Sequence, residues 1–157
     1  MNCPSCGAPL RLTENEESFR CEYCGGVYRP EENDDGVRVL GETSPMACPA
    51  CAVPMFQAAL SGHRITYCQQ CRGMLVPMSD FLDIVEELHT QHPGHGRVQP
   101  PPDRKELDRR FACPNCHRPM DTHFYEGPGN IIIEDCSACG LNWLDAGELL
   151  RVVRAPG

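Results

Sequence analysis

The stretch Cys136–Leu150, CSACGLNWLDAGELL, decides the reading of this chain. It opens with a Cys-x-x-Cys pair, turns at Gly140, carries the single Trp of the protein at position 143, and then begins a helix. Asp145 and Glu148 stand three apart, the spacing of a helix N-cap and the N3 residue that reaches back to it. A second pair, Cys113 and Cys116, lies upstream. A hairpin between the two pairs would bring four thiols to one metal ion.

The same plan recurs twice towards the start of the chain. Cys3/Cys6 precedes Cys21/Cys24 with 14 residues between, and Cys48/Cys51 precedes Cys68/Cys71 with 16 between. Cys113/Cys116 precedes Cys136/Cys139 with 19 between. All 12 cysteines fall in these six pairs. Spacings of roughly 15–20 are those of zinc sites, and a shorter hairpin absorbs the deficit in the first. Each repeat opens alike, as CPSC, CPAC and CPNC. Proline fixes φ in a tight turn, and a glycine after the second Cys permits a left-handed residue. Four thiolates close a tetrahedral zinc site, so the predicted ligands are Cys3, Cys6, Cys21 and Cys24; Cys48, Cys51, Cys68 and Cys71; and Cys113, Cys116, Cys136 and Cys139. Three zinc ions per chain follow. Iron suits the same cage and is the rival metal. Thioredoxin-like redox chemistry lacks its βαβ surroundings.

Between the pairs each repeat reads as a hairpin. The expected strands are 9–13 and 17–20, 54–60 and 63–67, and 120–125 and 131–134, with turns at 14–16, 61–62 and 127–130. A third short strand follows each second pair, at 27–28, 74–76 and 142–144. The fold class is therefore small, β-rich and metal-stabilised: three tandem zinc ribbons, each a three-stranded antiparallel sheet. A ribbon of about 30 residues cannot hold itself folded without metal. Short helices follow the second and third ribbons. Ser79 caps one that runs to about His89, with Phe81, Leu82, Val85 and Leu88 on one face. Asp145 caps the other, with Leu149, Leu150 and Val153 inward. Trp143 is expected to pack its sheet against that following helix rather than to stand exposed.

The domain boundaries follow: ribbon 1 over 1–30, an acidic linker over 31–45, ribbon 2 and its helix over 46–90, a Pro-rich linker over 91–110, and ribbon 3 and its helix over 111–157. Linkers of this kind isolate the modules, so loss of one metal should leave the other ribbons ordered. The end of the second linker, DRKELDRRF, is expected to form a helical turn behind Asp103, with Arg104, Lys105, Arg109 and Arg110 solvated. His89, His92 and His95 read as linker residues, because Pro93 and Gly94 break any helix that would align them into a metal site.

Net charge is −8 with thiols neutral, and twelve thiolates holding three divalent ions take it to about −14. Only residues 93–110 carry a positive excess, so direct nucleic-acid binding is not expected, because affinity for nucleic acid comes largely from Lys and Arg neutralising phosphate. No apolar run approaches the length of a membrane span. The opening MNCPSCG has neither the basic start nor the apolar run of a signal peptide, which with paired thiols predicts a cytoplasmic protein. There is no Ser/His/Asp set, no phosphate-binding glycine loop and no open metal position, so no enzymatic activity and no small-molecule substrate are expected.

Ribbon 3 resembles the bacterial transcription-factor zinc-finger family, named for its likeness to the zinc ribbon of transcription factor IIB. The residues that carry this are Cys113-Pro114-Asn115-Cys116, then Cys136, Cys139, Gly140, Trp143, Leu144, Asp145, Gly147, Glu148 and Leu149. Leu141 stands where the family has a second Gly. Ribbon 2 looks like a diverged copy: Arg72, Gly73, Leu75, Val76, Pro77, Ser79, Asp80 and Phe81 fall on the same stretch, with Leu75 in place of Trp and Pro77 in place of the capping Asp. Ribbon 1, with CEYCGGVY, resembles a generic zinc ribbon. The resemblance implies a zinc ribbon and an association with transcription by likeness of fold, and a fold does not settle a function. The function expected from the sequence is that of a protein–protein adaptor. The alternatives are a transcription-associated or nucleic-acid-binding factor and an iron-binding redox carrier.

Overall fold

The computed structural model describes residues 2–13, 18–33, 35–91, 101, 103–125 and 129–154. Ribbon 1 is a three-stranded antiparallel sheet of β1 (Leu10–Leu12), β2 (Phe19–Cys21) and β3 (Val27–Tyr28), in that order. Its first turn, expected at 14–16, lies outside the described residues, as does the first half of the turn expected at 127–130.

Ribbons 2 and 3 are fused. Their strands are β5 (Pro54–Leu60), β6 (His63–Tyr67) and β7 (Met74–Pro77), then β8 (Asp121–Phe124), β9 (Ile132–Cys136) and β10 (Leu141–Leu144). With β4 (Val37–Ala47) they make one seven-stranded antiparallel sheet in the order β4-β5-β6-β7-β10-β9-β8. The third strand of one ribbon pairs with the third strand of the other, Trp143 opposite Leu75 and Leu144 opposite Met74. Both ribbons end in a strand whose outer edge would otherwise carry unpaired N–H and C=O groups, and each satisfies the other. The ribbons are therefore not isolated modules, which corrects the expectation drawn from the linkers.

The acidic linker expected over 31–45 is corrected as well. From Val37 onward it is strand, paired with β5 from Val37–Leu60 to Ala47–Pro54, with irregular register on either side of Thr43. Asn33 prepares the entry, its Oδ1 accepting from the amides of Asp35 and Val37 at 2.9 and 3.0 Å. The acidic run hid this strand, which is buried on both faces, Val37 in the helix-side core and Leu40 on the side of ribbon 1, so one-sided alternation does not mark it; Gly41 at φ +83° marks the irregularity further on. Leu40 and Ala59 meet Phe19 of β2, which seats ribbon 1 on the larger sheet.

The two faces of the large sheet differ, as the alternation of strand side chains requires. One is covered by α1 (Met78–Gln91) and α2 (Glu148–Arg154), with Met74, Val76, Phe81, Ile84, Leu88, Leu144, Leu149 and Val153 among the buried residues. The helices also meet directly, and the His89 ring bonds the Val153 carbonyl at 2.8 Å. His89 is thus a helix–helix contact; His92 and His95 lie outside the described residues. The opposite face holds Leu75, Trp143, Met55 and Met120 together with buried cysteines of ribbons 2 and 3.

His63, the first residue of β6, ties the β5–β6 hairpin to α1 by facing Asp80 at 3.4 Å and Glu87 at 3.3 Å, while Ser61 donates to Glu87 at 2.8 Å. Burial alone would lower the His63 pKa, but Glu87 and Asp80 more than offset it and the net shift is upward. A raised folded value gives stability that is fully present below about 6.5 and is lost as pH rises through the folded value. The pairs are partly solvated, so the effect stays within about 1 kcal/mol. The thermal midpoint of His63→Gln is expected to lie below that of the parent at about pH 6 and to approach it by about pH 8. A gap that widens with pH would refute this assignment.

Candidate metal centres

Six tight turns present the cysteines, and all six are built alike. The amide four residues after the first Cys donates to that Cys carbonyl: Gly7 to Cys3, Gly25 to Cys21, Ala52 to Cys48, Arg72 to Cys68, His117 to Cys113 and Gly140 to Cys136, at 2.8–2.9 Å. The donor is left-handed in every case, including Ala52 at φ +60°, Arg72 at +63° and His117 at +64°. The turn is thus imposed even where no glycine eases it, at a cost of roughly 1–2 kcal/mol per residue. Further amides face the sulfurs, Cys51 N at 3.3 Å from Cys48 Sγ and Asn115 N at 3.4 Å from Cys113 Sγ. The Asn115 side-chain amide adds a contact to Cys139 Sγ at 3.3 Å.

All twelve cysteines fall into the three expected sets, and within each set the four sulfurs lie within 4.8 Å of one another. Cys3–Cys24, Cys6–Cys21, Cys48–Cys71 and Cys116–Cys136 are 3.5–3.7 Å apart. Disulfide sulfurs would be about 2 Å apart. A tetrahedron with Zn–S near 2.3 Å has edges of about 3.8 Å. The cages fit three zinc ions, each with four sulfur ligands. Amide donors from Cys6 and Ser5 lower the Cys3 thiol to about 6, and the Arg118 amide leads the lowering of Cys116 to about 7. Burial pushes Cys48 up to about 11. Each cage thus has thiols of unequal acidity, and a divalent cation supplies the charge that lets all four ionise together. Protein purified without added metal is expected to carry about three zinc equivalents by elemental analysis. Iron as the main metal, or one equivalent, would be incompatible with these cages as zinc sites.

Trp143 is buried as expected but faces the metal side, not α2. Its ring lies over Gly73 of the preceding ribbon, where a Cβ would stand 2.4 and 2.6 Å from two ring carbons. The indole N–H lies 3.3 Å from Asp145 Oδ1. The helix start is half as expected. Glu148 accepts from the Asp145 amide at 2.8 Å, but the Asp145 carboxylate turns towards Trp143 and Arg109.

That contact belongs to a cluster the sequence did not disclose. Glu106, Asp145 and Glu148 bring carboxylate oxygens within 4.8 Å of one another, and Arg109 also faces the fully buried Glu134 at 3.4 Å. Burial, with the neighbouring Asp145 charge, pushes Glu148 up to about 9. Glu134 is pushed up to about 7, chiefly by burial. These residues come from three separate places in the chain, 106–109, 134 and 145–148, so no local spacing could have shown that they meet. Of the basic residues expected to be solvated, Arg109 is in fact held here, while Arg104 lies over the Phe124 ring at 5.8 Å. The expected turn behind Asp103 is a 3-10 helix, Arg104–Asp108.

A family model described as transcription factor zinc-finger matches the chain at residues 47–87 and again at 112–155, the two fused ribbons with their helices. Neither the curated proteins nor the solved structures yield a match. Among the described residues no helix is long and apolar enough to cross a membrane.

Proposed function

Because the chain belongs to the transcription factor zinc-finger family through both matched segments, we propose that it acts as a non-catalytic adaptor for protein partners in the cytoplasm, its zinc ions serving structure alone. The observation that carries this reading is the closure of the metal sites: four thiolates around each ion leave no position for substrate or water. Ribbon 1 supplies contact residues, with Tyr23 at 87% and Val27 at 69% exposure. Isolated apolar side chains are ordinary on a surface, but aromatic residues are enriched where proteins meet.

The family name favours a second reading, association with the transcription apparatus. The charge of −8 weighs against direct contact with nucleic acid and leaves a contact with a protein of that apparatus compatible. Two measurements separate the readings. Crosslinking and pull-down of the tagged protein should return a defined protein partner. Fluorescence anisotropy against mixed-sequence duplex DNA and single-stranded RNA should show no appreciable binding at physiological salt. Binding at about micromolar affinity or tighter that persists at that salt would replace the adaptor reading with the nucleic-acid one.

A further inference from the structure

Arg109 follows the 3-10 turn Arg104–Asp108 and places its guanidinium in a recess on ribbon 3. Asp145 takes it through both terminal nitrogens, one at 3.1 Å and the other in a shorter contact. Glu106 and Glu134 each approach to 3.4 Å. The ring of Phe111 lies against it, 5.1 Å from the guanidinium carbon to the ring centroid. A carboxylate facing the fork end-on and an aromatic ring against its plane are the two contacts that distinguish guanidinium from ammonium.

The recess offers more than Arg109 uses. Four carboxylates gather around it, counting Glu148; of the fully buried Glu134, Oε1 is the oxygen that faces Arg109 and Oε2 has no hydrogen-bond partner. The strap that delivers Arg109 is held by surface contacts, Thr122 Oγ1 donating to the Arg109 carbonyl at 3.2 Å and Arg104 lying over the Phe124 ring. Its 3-10 turn buries no residue, and the side chains of Arg109, Glu106 and Asp145 keep 26%, 28% and 25% exposure. A ligand can therefore reach the site from solvent.

We propose that this recess is a docking site for an arginine side chain of a protein partner, which Arg109 fills in the free chain and yields on binding. The inference rests on the adaptor reading and names the chemistry of its partner: an exposed arginine on a flexible or terminal segment. The tethered strap competes at an effective concentration of the order of millimolar, so it sets a threshold that a weak or isolated arginine does not cross.

The test uses the full zinc-loaded protein and the tripeptide amide acetyl-Gly-Arg-Gly, with acetyl-Gly-Lys-Gly for comparison. The readout is the indole N–H resonance of Trp143, the one Trp in the chain, whose hydrogen-bond partner is the recess residue Asp145. Arg109→Ala is expected to bind the arginine peptide at least about ten-fold more tightly than the parent, because its competitor is gone. The lysine peptide should bind about ten-fold more weakly, lacking the planar fork. Adding Asp145→Asn to Arg109→Ala should abolish the response. An unmoved resonance in Arg109→Ala, or equal responses to the two peptides, would overturn the proposal. If Arg109→Ala loses zinc, Arg109→Lys serves in its place, since it keeps the charge without the fork and must likewise yield to the arginine peptide. A partner captured equally by the parent and by Asp145→Asn would sink the recess while leaving the adaptor reading intact. Absence of any protein partner, with the peptide responses as expected, would sink the adaptor reading instead.

Discussion

Gly73→Ala is expected to lower the thermal midpoint by roughly 5–10 °C, corresponding to about 2–3 kcal/mol of overpacking. The added methyl would stand 2.4 and 2.6 Å from ring carbons of Trp143 and 3.2 Å from the Leu144 carbonyl. Neither neighbour can give way cheaply. Trp143 is fully buried among the cysteines of two metal sites, and Leu144 is held in β10 opposite Met74. Gly26 provides the control. It stands two places after the second knuckle of ribbon 1, as Gly73 does in ribbon 2, and its added methyl would meet only Cys24 Sγ, at 3.4 Å. Gly26→Ala should therefore leave the midpoint within about 1–2 °C of the parent, in line with an exposed site without packing consequences. Trp143→Phe in the Gly73→Ala background should recover part of the loss, giving a coupling term that two distant sites would lack. Scanning calorimetry on zinc-loaded protein decides this, and equal midpoints for the Gly73 and Gly26 variants would mean that Trp143 does not fill that space.

The second large effect is expected from Cys136→Ser. Losing one of four ligands should weaken the third site by more than the ~10–100-fold typical of an outer-shell change. Independent modules would confine the damage to ribbon 3. Here β10 pairs with β7, and Cys136, Trp143, Leu75 and Cys68 share one buried layer. Disorder is expected to spread into β7 and β6 of ribbon 2, while ribbon 1, in its own sheet with its own cage, keeps its zinc. Backbone amide spectra report this directly: ribbon 3 resonances should collapse, ribbon 2 resonances should shift or broaden, and those of β2 should persist. Unchanged ribbon 2 resonances would show that the fused sheet carries no cooperative coupling.

The chemistry of the metal sites was legible in the sequence because it is local. Two residues between paired cysteines fix each knuckle, and the distance between pairs fixes a hairpin, so all twelve ligands and their grouping could be read from spacing. The β5 and β6 strands could be read to the residue, since Ser61-Gly62 leaves one way to turn between them. The assembly of the ribbons was not legible. Nothing in the periodicity of Met74–Pro77 or Leu141–Leu144 says that each strand's free edge is satisfied by the other, because edge pairing depends on two segments more than sixty residues apart. Trp143 shows the same limit: its burial follows from its size, but the face it occupies is set by a glycine of another ribbon. The strand at Val37–Ala47 was obscured by acidic residues beside it and by an irregular register that breaks the two-residue period. Arg109 marks the far end of this scale. Among alternating charges it reads as solvated, and only the tertiary structure sets it against Glu106, Glu134 and Asp145. Sequence alone determined what each ribbon binds, since metal ligation is written in short spacings. The tertiary structure decided which edges, faces and charges meet, since those energies arise only between segments that the fold brings together.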